Sequence, residues 1–494
     1  MTLTPLITAD EAFPAFERLA AGAREELMMS FRIFDPATKL RAPELRERGL
    51  DTWADLLTWV VRRGVRLRLI IADFDPLLAQ SLHRLAWRSA SGFADVIVGD
   101  VQILCAPHGQ AAGRLWHLAM RARLRKTLSA LRASDPTRLT PVQRDILETA
   151  PVLRPVTIHQ KFALADGTRS IVGGIDINQR RFDTEKHDQS PEETWHDVSM
   201  SVEDADFSGA LRGHFVDTWN AALICGAPSL AERALPIDMP TRPQAPPDLR
   251  LIRTVSAPCP GLTRLGPTPR ITDHEKTVLS LIGEAREHIY IETQFLRHKP
   301  VADALVAAAA RAPDLQLVVV LPPAPERILF DGDDGWDARH AHGLQFRALR
   351  RIAAAFGDRA ALISPAQPWA AGRDAPALKG GGTVYVHAKV LLIDDAVGLV
   401  GSANLNGRSL RWDTEASVLF RRPDTVAALR KRLAEKWLGE DAPGDTAKAA
   451  TWRQAALANM AKEPGTRTGF VMPFPMESAD RFSKRLPFLP DDMF

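Results

Sequence analysis

The sequences IHQKFALAD, at residues 158–166, and VHAKVLLID, at residues 386–394, share the pattern His-x-Lys-x-x-x-x-Asp. Six residues after each pattern a glycine-rich segment follows, GGIDINQR at 173–180 in the first case and GSANLNGR at 401–408 in the second. One such match could arise by chance in a chain with 13 histidines, but two matches with the same downstream segment indicate an internal duplication. We therefore predict one functional site assembled from two halves.

Other parts of the sequence repeat in the same order. GAREELMMSF at 22–31 matches EAREHIYIET at 284–293, and a helical stretch and an apolar strand follow each. Equivalent residues are 228 apart at the two histidines but 218 apart at Asp197 and Glu415, which puts a loop of ten extra residues near 181–195. The alternation predicts an α/β fold of two similar α-β-α sandwich halves, with mixed sheets flanked by helices and a pseudo-twofold axis between them.

The length of 494 residues allows two domains of roughly 200 residues each. We predict a first half at 1–225, a proline-rich linker at 226–248, a second half at 249–440 and a tail at 441–494 that packs on the body. The first half also has an insertion with a basic amphipathic helix at 113–133. Such a helix can lie on an anionic lipid surface, or it can pack on the protein with a solvated arginine face.

Composition and charge narrow the function classes. With 45% hydrophobic and 25% charged residues, the sequence is typical of a soluble globular protein, and no apolar stretch is long enough to span a membrane. The net charge of +3 gives little support for a nucleic-acid partner. The N-terminal residues lack the pattern of a signal peptide, so we expect a cytoplasmic or peripheral membrane protein, with signal-independent secretion as an alternative.

Two His-x-Lys pairs in one site suit the chemistry of a phosphodiester. Residues two apart on a strand point to the same face, so each half offers an imidazole and an ammonium group to one ligand. Lys161 and Lys389 would hold the phosphate, while His159 and His387 would share the roles of nucleophile and proton donor to the leaving alcohol. The proton donor would then act as the base that activates water or another alcohol. This scheme needs no metal and no other cofactor.

Polar residues near the two motifs have supporting roles in this scheme. Asp197 and Glu415 stand at equivalent positions and are the predicted orienting partners of the two histidines. Asp166 and Asp394 complete the motifs and are included with the catalytic residues, although an aspartate just before a turn can equally bind backbone amides and fix the loop. The predicted phosphate-binding or orienting residues are Asn404, Ser402, Gly174 and Asp176.

These residues resemble the phospholipase D superfamily, whose two His-Lys-Asp motifs form one phosphodiesterase site. Within it, the chain looks most like the phospholipases D proper. Matching segments occur in the expected order: GGIDINQRRFD (173–183), TWHDVSMSVE (194–203), IRTVS (252–256), IYIETQF (289–295) and GSANLNGRS (401–409). The resemblance implies hydrolysis of the distal phosphodiester of glycerophospholipids to phosphatidic acid and a free head-group alcohol through a phosphohistidine, with transfer to other alcohols as a further reaction.

The resemblance also implies residue roles and partners. The histidine of the first motif is usually the nucleophile in this family, which implies that role for His159 and the role of general acid for His387. Asp176 stands where the second half has Asn404, and an ionised carboxylate cannot donate a hydrogen bond to phosphate, which argues against direct contact of Asp176 with the substrate. We expect a monomer that meets its phospholipid substrate at a membrane surface and binds no nucleic acid.

Three other functions stay open on the sequence alone. A cardiolipin-synthase-like phosphatidyltransferase would use the same site, as would a nucleic-acid phosphodiesterase of the same superfamily. A nuclease should have a basic groove with stacking aromatic residues, and two tyrosines and a near-neutral charge offer little support for one. A non-catalytic lipid-binding descendant is the third alternative, and both intact His-Lys pairs argue against it.

Overall fold

The structure is a computed structural model in which the chain forms two mixed β-sheets with helices packed on them. It describes residues 2–149, 151–239, 247–257, 266–439, 444–486 and 489–494. The predicted α/β fold, with two similar halves and flanking helices, is confirmed.

The first sheet belongs to the first half of the chain. Its strands among the described residues are β1 (Thr2–Ile7), β2 (Glu26–Phe31), β3 (Arg66–Ala72), β4 (Val101–Ala106), β5 (Phe162–Ala165), β6 (Arg169–Gly173), β7 (Val198–Glu203) and β8 (Ser229–Ala231). Their order is β1-β7-β6-β5-β2-β3-β4-β8, and β2, β3 and β4 run parallel. The helices of this half are α1 (Thr8–Ala21), α2 (Pro43–Arg46), α3 (Trp53–Arg62), α4 (Gln80–Ala94), α5 (Arg114–Ala119), α6 (Arg121–Arg132), α7 (Pro141–Glu148) and α8 (Ala205–Ile224).

The second sheet is larger. Its strands among the described residues are β9 (Leu249–Ala257), β10 (Thr268–Thr272), β11 (His288–Thr293), β12 (Gln316–Val320), β13 (Ala360–Ala370), β14 (Ala377–Leu378), β15 (Gly381–Thr383), β16 (Lys389–Ile393), β17 (Val397–Gly401), β18 (Glu415–Phe420) and β19 (Val471–Pro473). The helices are α9 (Asp273–Glu284), α10 (Lys299–Arg311), α11 (Glu326–Leu329), α12 (Trp336–Phe356), α13 (Pro423–Leu438), α14 (Ala449–Met460) and α15 (Met476–Phe482).

The strand order of the two sheets reveals the duplication. The run β7-β6-β5-β2-β3-β4 in the first sheet has the same order and the same strand directions as β18-β17-β16-β11-β12-β13 in the second. The strand that begins just after Lys161, β5, and the strand that begins at Lys389, β16, therefore each lie at the centre of their sheet. Strands β6 and β7 contact β17 and β18, so the two sheets meet beside these central strands.

Alternate residues of the central strands face two different cores. In β5, Phe162 and Leu164 join a core that contains residues of both halves, whereas Ala163 and Ala165 join the outer core of the first half. The same alternation occurs in β16, between the shared core and the outer core of the second half. Because both faces are buried, these strands are continuous apolar runs rather than alternating ones.

The predicted linker and tail contain regular structure. The linker at 226–248 lies partly outside the described residues, but its beginning includes β8, which pairs with β4, so the first sheet continues beyond residue 225. In the predicted tail, β19 pairs with β13 and the side chain of Trp452 on α14 is fully buried. The division into domains stays a prediction. Among the described helices, none has the length and apolar composition required to cross a lipid bilayer.

Candidate active site

The backbone brings both His-Lys pairs to the line where the two sheets meet. The His159 N–H donates to the carbonyl of Thr414 at 2.9 Å, and the His387 N–H donates to the carbonyl of His196 at 2.8 Å. Thr414 and His196 immediately precede Glu415 and Asp197, the two predicted orienting carboxylates. Each motif histidine is thus fixed to the chain of the opposite half.

Each imidazole pairs with a carboxylate from the other half. Nδ1 of His159 lies 2.9 Å from Oε1 of Glu415, and Nδ1 of His387 lies 2.6 Å from Oδ2 of Asp197. Both carboxylates are fully buried, while the two rings keep 11% and 5% of their side-chain surface exposed. Because Nδ1 is engaged in both rings, Nε2 is the atom available for chemistry.

The ammonium group of each motif lysine binds the backbone carbonyl of the histidine two residues before it. Nζ of Lys161 donates to the carbonyl of His159 at 2.5 Å, and Nζ of Lys389 donates to the carbonyl of His387. Both are buried, and burial lowers the pKa of Lys161 and lowers that of Lys389 to about 7, with nearby carboxylates acting in the opposite direction. An anion bound between them would stabilise their charged forms.

Burial also sets the protonation of the two His–carboxylate pairs. It lowers the pKa of His159 and of His387 well below the usual value, and the charges of the two lysines lower both further. Burial raises the pKa of Glu415 to about 8 and that of Asp197 to about 6, against the opposing charges of the lysines. Neutral imidazoles result near pH 7, which is the form a nucleophile needs, and the carboxyl beside His387 ionises at lower pH than the one beside His159.

Asp166 and Asp394 do not join this cluster. The carboxylate of Asp166 accepts three backbone N–H groups from residues 24–26, at 2.8 to 3.1 Å, and that of Asp394 accepts three from residues 286–288, at 2.8 to 2.9 Å. Asp166 lies five residues beyond Lys161 along the strand, a separation of roughly 16 Å. The two aspartates fix the turn after one strand to the start of the next, which is the alternative role that the sequence left open for them.

Asp176 and Asn404 differ in their contacts, as their charges require. Oδ1 of Asp176 accepts the backbone N–H groups of Arg32 and Ile33 at 3.0 and 2.9 Å, and Oδ2 lies 3.9 Å from Nζ of Lys161. Nδ2 of Asn404 makes a long 3.3 Å contact with a glutamine side chain, and its buried Oδ1 has no partner among the described residues. Asn404 is thus the better candidate to meet a phosphate.

Gly174 and Ser402 act on the two carboxylates. A Cβ at position 174 would lie 2.3 Å from Oδ1 of Asp197, so the glycine leaves the space that the carboxylate occupies. At the equivalent position of the second half, Oγ of Ser402 donates to Oε2 of Glu415 at 2.5 Å. Both residues therefore position an acid, and of the two roles predicted for Ser402, phosphate binding and orienting, this contact supports orienting.

Motif spacing did not identify three arginines near the site. The charges of Arg32 and Arg408 contribute to the low pKa of His159, and the charge of Arg181 contributes to that of His387. Arg408 ends the second glycine-rich segment, where the repeat places Arg180 in the first, so comparison of the two segments could have signalled it. The other two have no equivalent basic residue in the repeat.

Trp195 connects one of these arginines to the site. The Arg181 guanidinium lies 3.6 Å from the centre of the Trp195 ring, and that ring is 4.6 Å from the ring of His387. Trp195 precedes Asp197 by two residues, and its equivalent in the repeat, Asp413, forms a 3.0 Å ion pair with Arg408. The two sides of the site thus have different walls, one aromatic and one ionic.

A buried network supports the backbone behind Asp197. Nε2 of His196 lies 2.7 Å from Oε2 of Glu292, and Oε1 of Glu292 accepts hydrogen bonds from Tyr290 and Trp437, both at 2.6 Å. His196 and Glu292 come from different halves, so this network holds the halves together at the site. Glu292 belongs to the repeated segment at 284–293, but its first-half equivalent is Ser30, so the repeat gave no signal for it.

Comparisons with known proteins agree with the geometry. The chain is 26% identical to Phospholipase D1 of Schizosaccharomyces pombe over 380 residues, which are 57% of this chain and 27% of that protein. Against Phospholipase D1 of Saccharomyces cerevisiae it is 24% identical over 384 residues, 57% of this chain and 22% of that protein. Residues 278–437 match the family model described as cardiolipin synthase, PLD-like domain. These matches support the resemblance of the chain to the phospholipase D superfamily.

The superfamily fold also occurs in a solved structure. Phosphatidylserine synthase of Haemophilus influenzae superposes with a TM-score of 0.54 at 12% identity, covering 88% of this chain and 85% of that one. At this identity the likeness concerns the fold alone. The chain spans about a quarter of the length of the two yeast relatives, so the activity of this protein is taken up as a proposal.

Proposed function

We propose that this protein is a phospholipase D that hydrolyses the distal phosphodiester of glycerophospholipids to phosphatidic acid and a head-group alcohol. One observation carries the proposal: Glu415 and Asp197 each bind Nδ1 of the histidine from the opposite half and leave Nε2 free, and the charges of both lysines act on both imidazoles. Two buried lysines supply the positive charge that a phosphodiester anion requires.

The reaction proceeds in two displacements. Nε2 of His159 attacks phosphorus, the bond from phosphorus to the head-group oxygen breaks, and Nε2 of His387 gives its proton to the departing alcohol. His387 then takes a proton from water, the water oxygen attacks phosphorus, and the bond from phosphorus to His159 breaks to release phosphatidic acid. Lys161 and Lys389 stabilise the charge on the non-bridging oxygens in both steps.

The unequal carboxyl groups support this assignment of roles. A bound phosphodiester anion opposes the lysine charges that lower the pKa of His387, and Asp197, with a pKa of about 6, is ionised at pH 7, so in the substrate complex His387 can hold the proton that it donates. Burial raises the pKa of Glu415 to about 8, so it is mostly protonated at the same pH and leaves His159 neutral. A neutral imidazole suits the nucleophile, and an imidazolium suits the proton donor.

The same intermediate permits a phosphatidyl transfer. If an alcohol replaces water in the second step, the product is a phosphatidyl-alcohol, so hydrolase and phosphatidyltransferase differ only in the acceptor. The match of the second half to a model described as cardiolipin synthase favours testing this second candidate in the same assay. Either reaction requires contact with a lipid surface, and we propose that this contact is peripheral.

Incubation of the purified full chain with vesicles of phosphatidylcholine and phosphatidylglycerol tests the proposal. We expect phosphatidic acid as the product, and a phosphatidylbutanol when 1-butanol is added, both measured by mass spectrometry. Supercoiled DNA in a parallel reaction should stay intact. Intact lipids together with cleaved DNA would contradict the proposal and support a nuclease, whereas a phosphatidyl-alcohol without phosphatidic acid would indicate a dedicated transferase.

We expect Gly174→Ala to lower turnover by roughly 100-fold, because the added methyl group displaces the carboxylate of Asp197 and a shift of about 1 Å costs a factor of that size. The matched control is Gly283→Ala on α9, where a Cβ meets nothing within 4 Å. It should keep full turnover and be at least as stable. Steady-state kinetics and thermal unfolding of both variants check this, and full activity in Gly174→Ala would refute the close contact.

A further inference from the structure

The insertion of the first half is attached to the site at both of its ends. We call residues 107–156 the basic insertion. At its beginning, Nε2 of His108 lies 3.0 Å from Oγ1 of Thr414, the residue before Glu415. Just after its end, the N–H of Thr157 donates to Oδ1 of Asp413 at 3.0 Å, and the chain continues directly to His159. The basic insertion therefore stands next to the candidate active site.

One side of the insertion is packed and the other is exposed. Leu124 and Leu131 of α6 are buried in a small core of their own. The basic side chains of α5 and α6 are exposed, and these are Arg114, Arg121, Arg123, Arg125, Lys126 and Arg132. The amphipathic helix predicted at 113–133 is two helices, α5 and α6, and it is α6 that packs its apolar side and leaves its basic side in solvent.

Positive charge is concentrated in this segment. The basic insertion contains nine lysines and arginines and three aspartates and glutamates, a net charge of +6, while the whole chain carries +3. The remaining residues therefore carry −3. No acidic residue occurs between positions 101 and 134, so α5 and α6 present an uninterrupted cationic surface. Such a surface attracts anionic partners over roughly a Debye length.

Exposed leucines distinguish between anionic partners. Leu118 is 65% exposed and Leu115 is 40% exposed, and both lie on α5 beside the basic residues. A nucleic acid would meet the arginines but would gain nothing from exposed aliphatic side chains. A lipid surface takes up both, since the leucines enter the acyl boundary and the cations stay with the phosphate groups.

We propose that the basic insertion docks the protein on an anionic phospholipid surface, with Leu115 and Leu118 inserted and the cations of α5 and α6 bound to lipid phosphates. This inference rests on the proposed function for its purpose, because docking through a segment attached at Thr414 and Asp413 brings the site to the bilayer that holds its substrate. The docking itself is a binding event that can be measured without catalysis.

Vesicle flotation with the full chain tests the docking. The wild type should bind vesicles of phosphatidylcholine with 30% phosphatidylglycerol, lose binding at high salt, and bind vesicles of phosphatidylcholine alone at least about 100-fold more weakly. The variant Arg121→Gln/Arg123→Gln/Arg125→Gln/Lys126→Gln should lose at least about 100-fold in affinity, since each basic residue near an anionic surface contributes about fivefold. The variant Leu115→Ser/Leu118→Ser should bind the anionic vesicles more weakly than the wild type, and its binding should depend on salt concentration in the same way.

A matched control removes the same charge elsewhere. Arg46→Gln/Arg48→Gln/Arg62→Gln/Arg66→Gln changes four exposed arginines outside the basic insertion and should bind vesicles like the wild type. All variants should keep the circular dichroism spectrum and the turnover of a monomeric short-chain phospholipid. Wild-type vesicle binding by both insertion variants, or an equal loss in the control, would overturn the proposal.

Two further outcomes distinguish membrane docking from the proposed phospholipase D activity and from nucleic-acid binding. If the wild type floats with anionic vesicles in an insertion-dependent manner but converts no lipid, the docking stands and the proposed phospholipase D activity fails. If a duplex DNA oligonucleotide loses binding in the four-residue insertion variant while vesicle binding does not change, the cationic surface serves nucleic acid and the docking proposal is wrong.

Discussion

His159→Ala should abolish the formation of both phosphatidic acid and phosphatidylbutanol, with a loss of at least about 10⁴-fold in kcat/KM, because no phosphohistidine can form. His387→Ala should lose about 10²- to 10⁴-fold with a natural lipid, whose alkoxide leaves poorly without a proton. With a p-nitrophenyl phosphodiester the leaving group needs no proton, so His387→Ala should still release nitrophenol and accumulate the phosphoenzyme.

Rapid-quench trapping of the phosphoenzyme, with nitrophenol release followed by absorbance, measures both effects. The matched control is His83→Ala, because Nδ1 of His83 pairs with a buried aspartate at 2.6 Å, as His387 does, but outside the site. It should lose stability and keep turnover at temperatures where it is folded. Phosphoenzyme in His159→Ala and none in His387→Ala would reverse the assigned roles.

The duplication made most of the fold predictable. Strands such as Gln316–Val320 follow directly from apolar runs that occur in both halves, since a run buried on both faces needs no alternation to be recognised. The edge strands Ser229–Ala231 and Val471–Pro473 were not predicted as strands, because three residues carry too little pattern. They form strands because they pair with β4 and β13, which are distant from them in the sequence.

The site was predictable where residue type and repeat position agree. Asp197 and Glu415 were identified through the repeat as the orienting partners of the two histidines, and the structure pairs Glu415 with His159 at 2.9 Å. Asp166 belongs to the same motif but lies at the far end of the strand. A motif gives the order of its residues along the chain, and it does not show which of them are close in space. Arg181 and Trp195 depend on the loop that differs between the halves, so the repeat could not indicate them.

The sequence also could not predict the electrostatic difference between the two orienting carboxylates. Asp197 and Glu415 are equivalent in the repeat, and both are fully buried, yet their pKa values are raised to about 6 and about 8 respectively. Burial is the largest cause for both, while the balance of nearby lysine and carboxylate charges differs. Because of this difference in pKa, we expect turnover to depend far more on the charge of Asp197 than on that of Glu415.

Asp197→Asn should therefore be much more damaging than Glu415→Gln. An amide at 197 removes the negative charge that holds a protonated His387, and we expect a loss of about 10³- to 10⁴-fold in turnover, the scale seen when the acid of a buried acid–imidazole pair is neutralised. A glutamine at 415 resembles the protonated glutamate that predominates near pH 7, so this loss should stay within roughly 10- to 100-fold.

The pH dependence gives an independent check. Below about pH 6, Asp197 gains a proton and no longer stabilises the His387 imidazolium, so wild-type turnover should fall as the pH decreases through this value. Asp197→Asn has no such carboxyl, so its residual activity should lack this acid limb. Glu415→Gln should keep it.

Asp73→Asn provides the matched control for the loss of a buried carboxylate. Asp73 holds His83 at 2.6 Å and is as buried as Asp197, so both asparagine variants should be destabilised by about 1–3 kcal/mol in thermal unfolding. Only Asp197→Asn should lose turnover and the acid limb, because only its imidazole faces the reacting phosphorus. Equal losses in Asp197→Asn and Glu415→Gln, with the acid limb kept in both, would mean that the two halves are electrostatically equivalent and that another group sets the roles of the histidines.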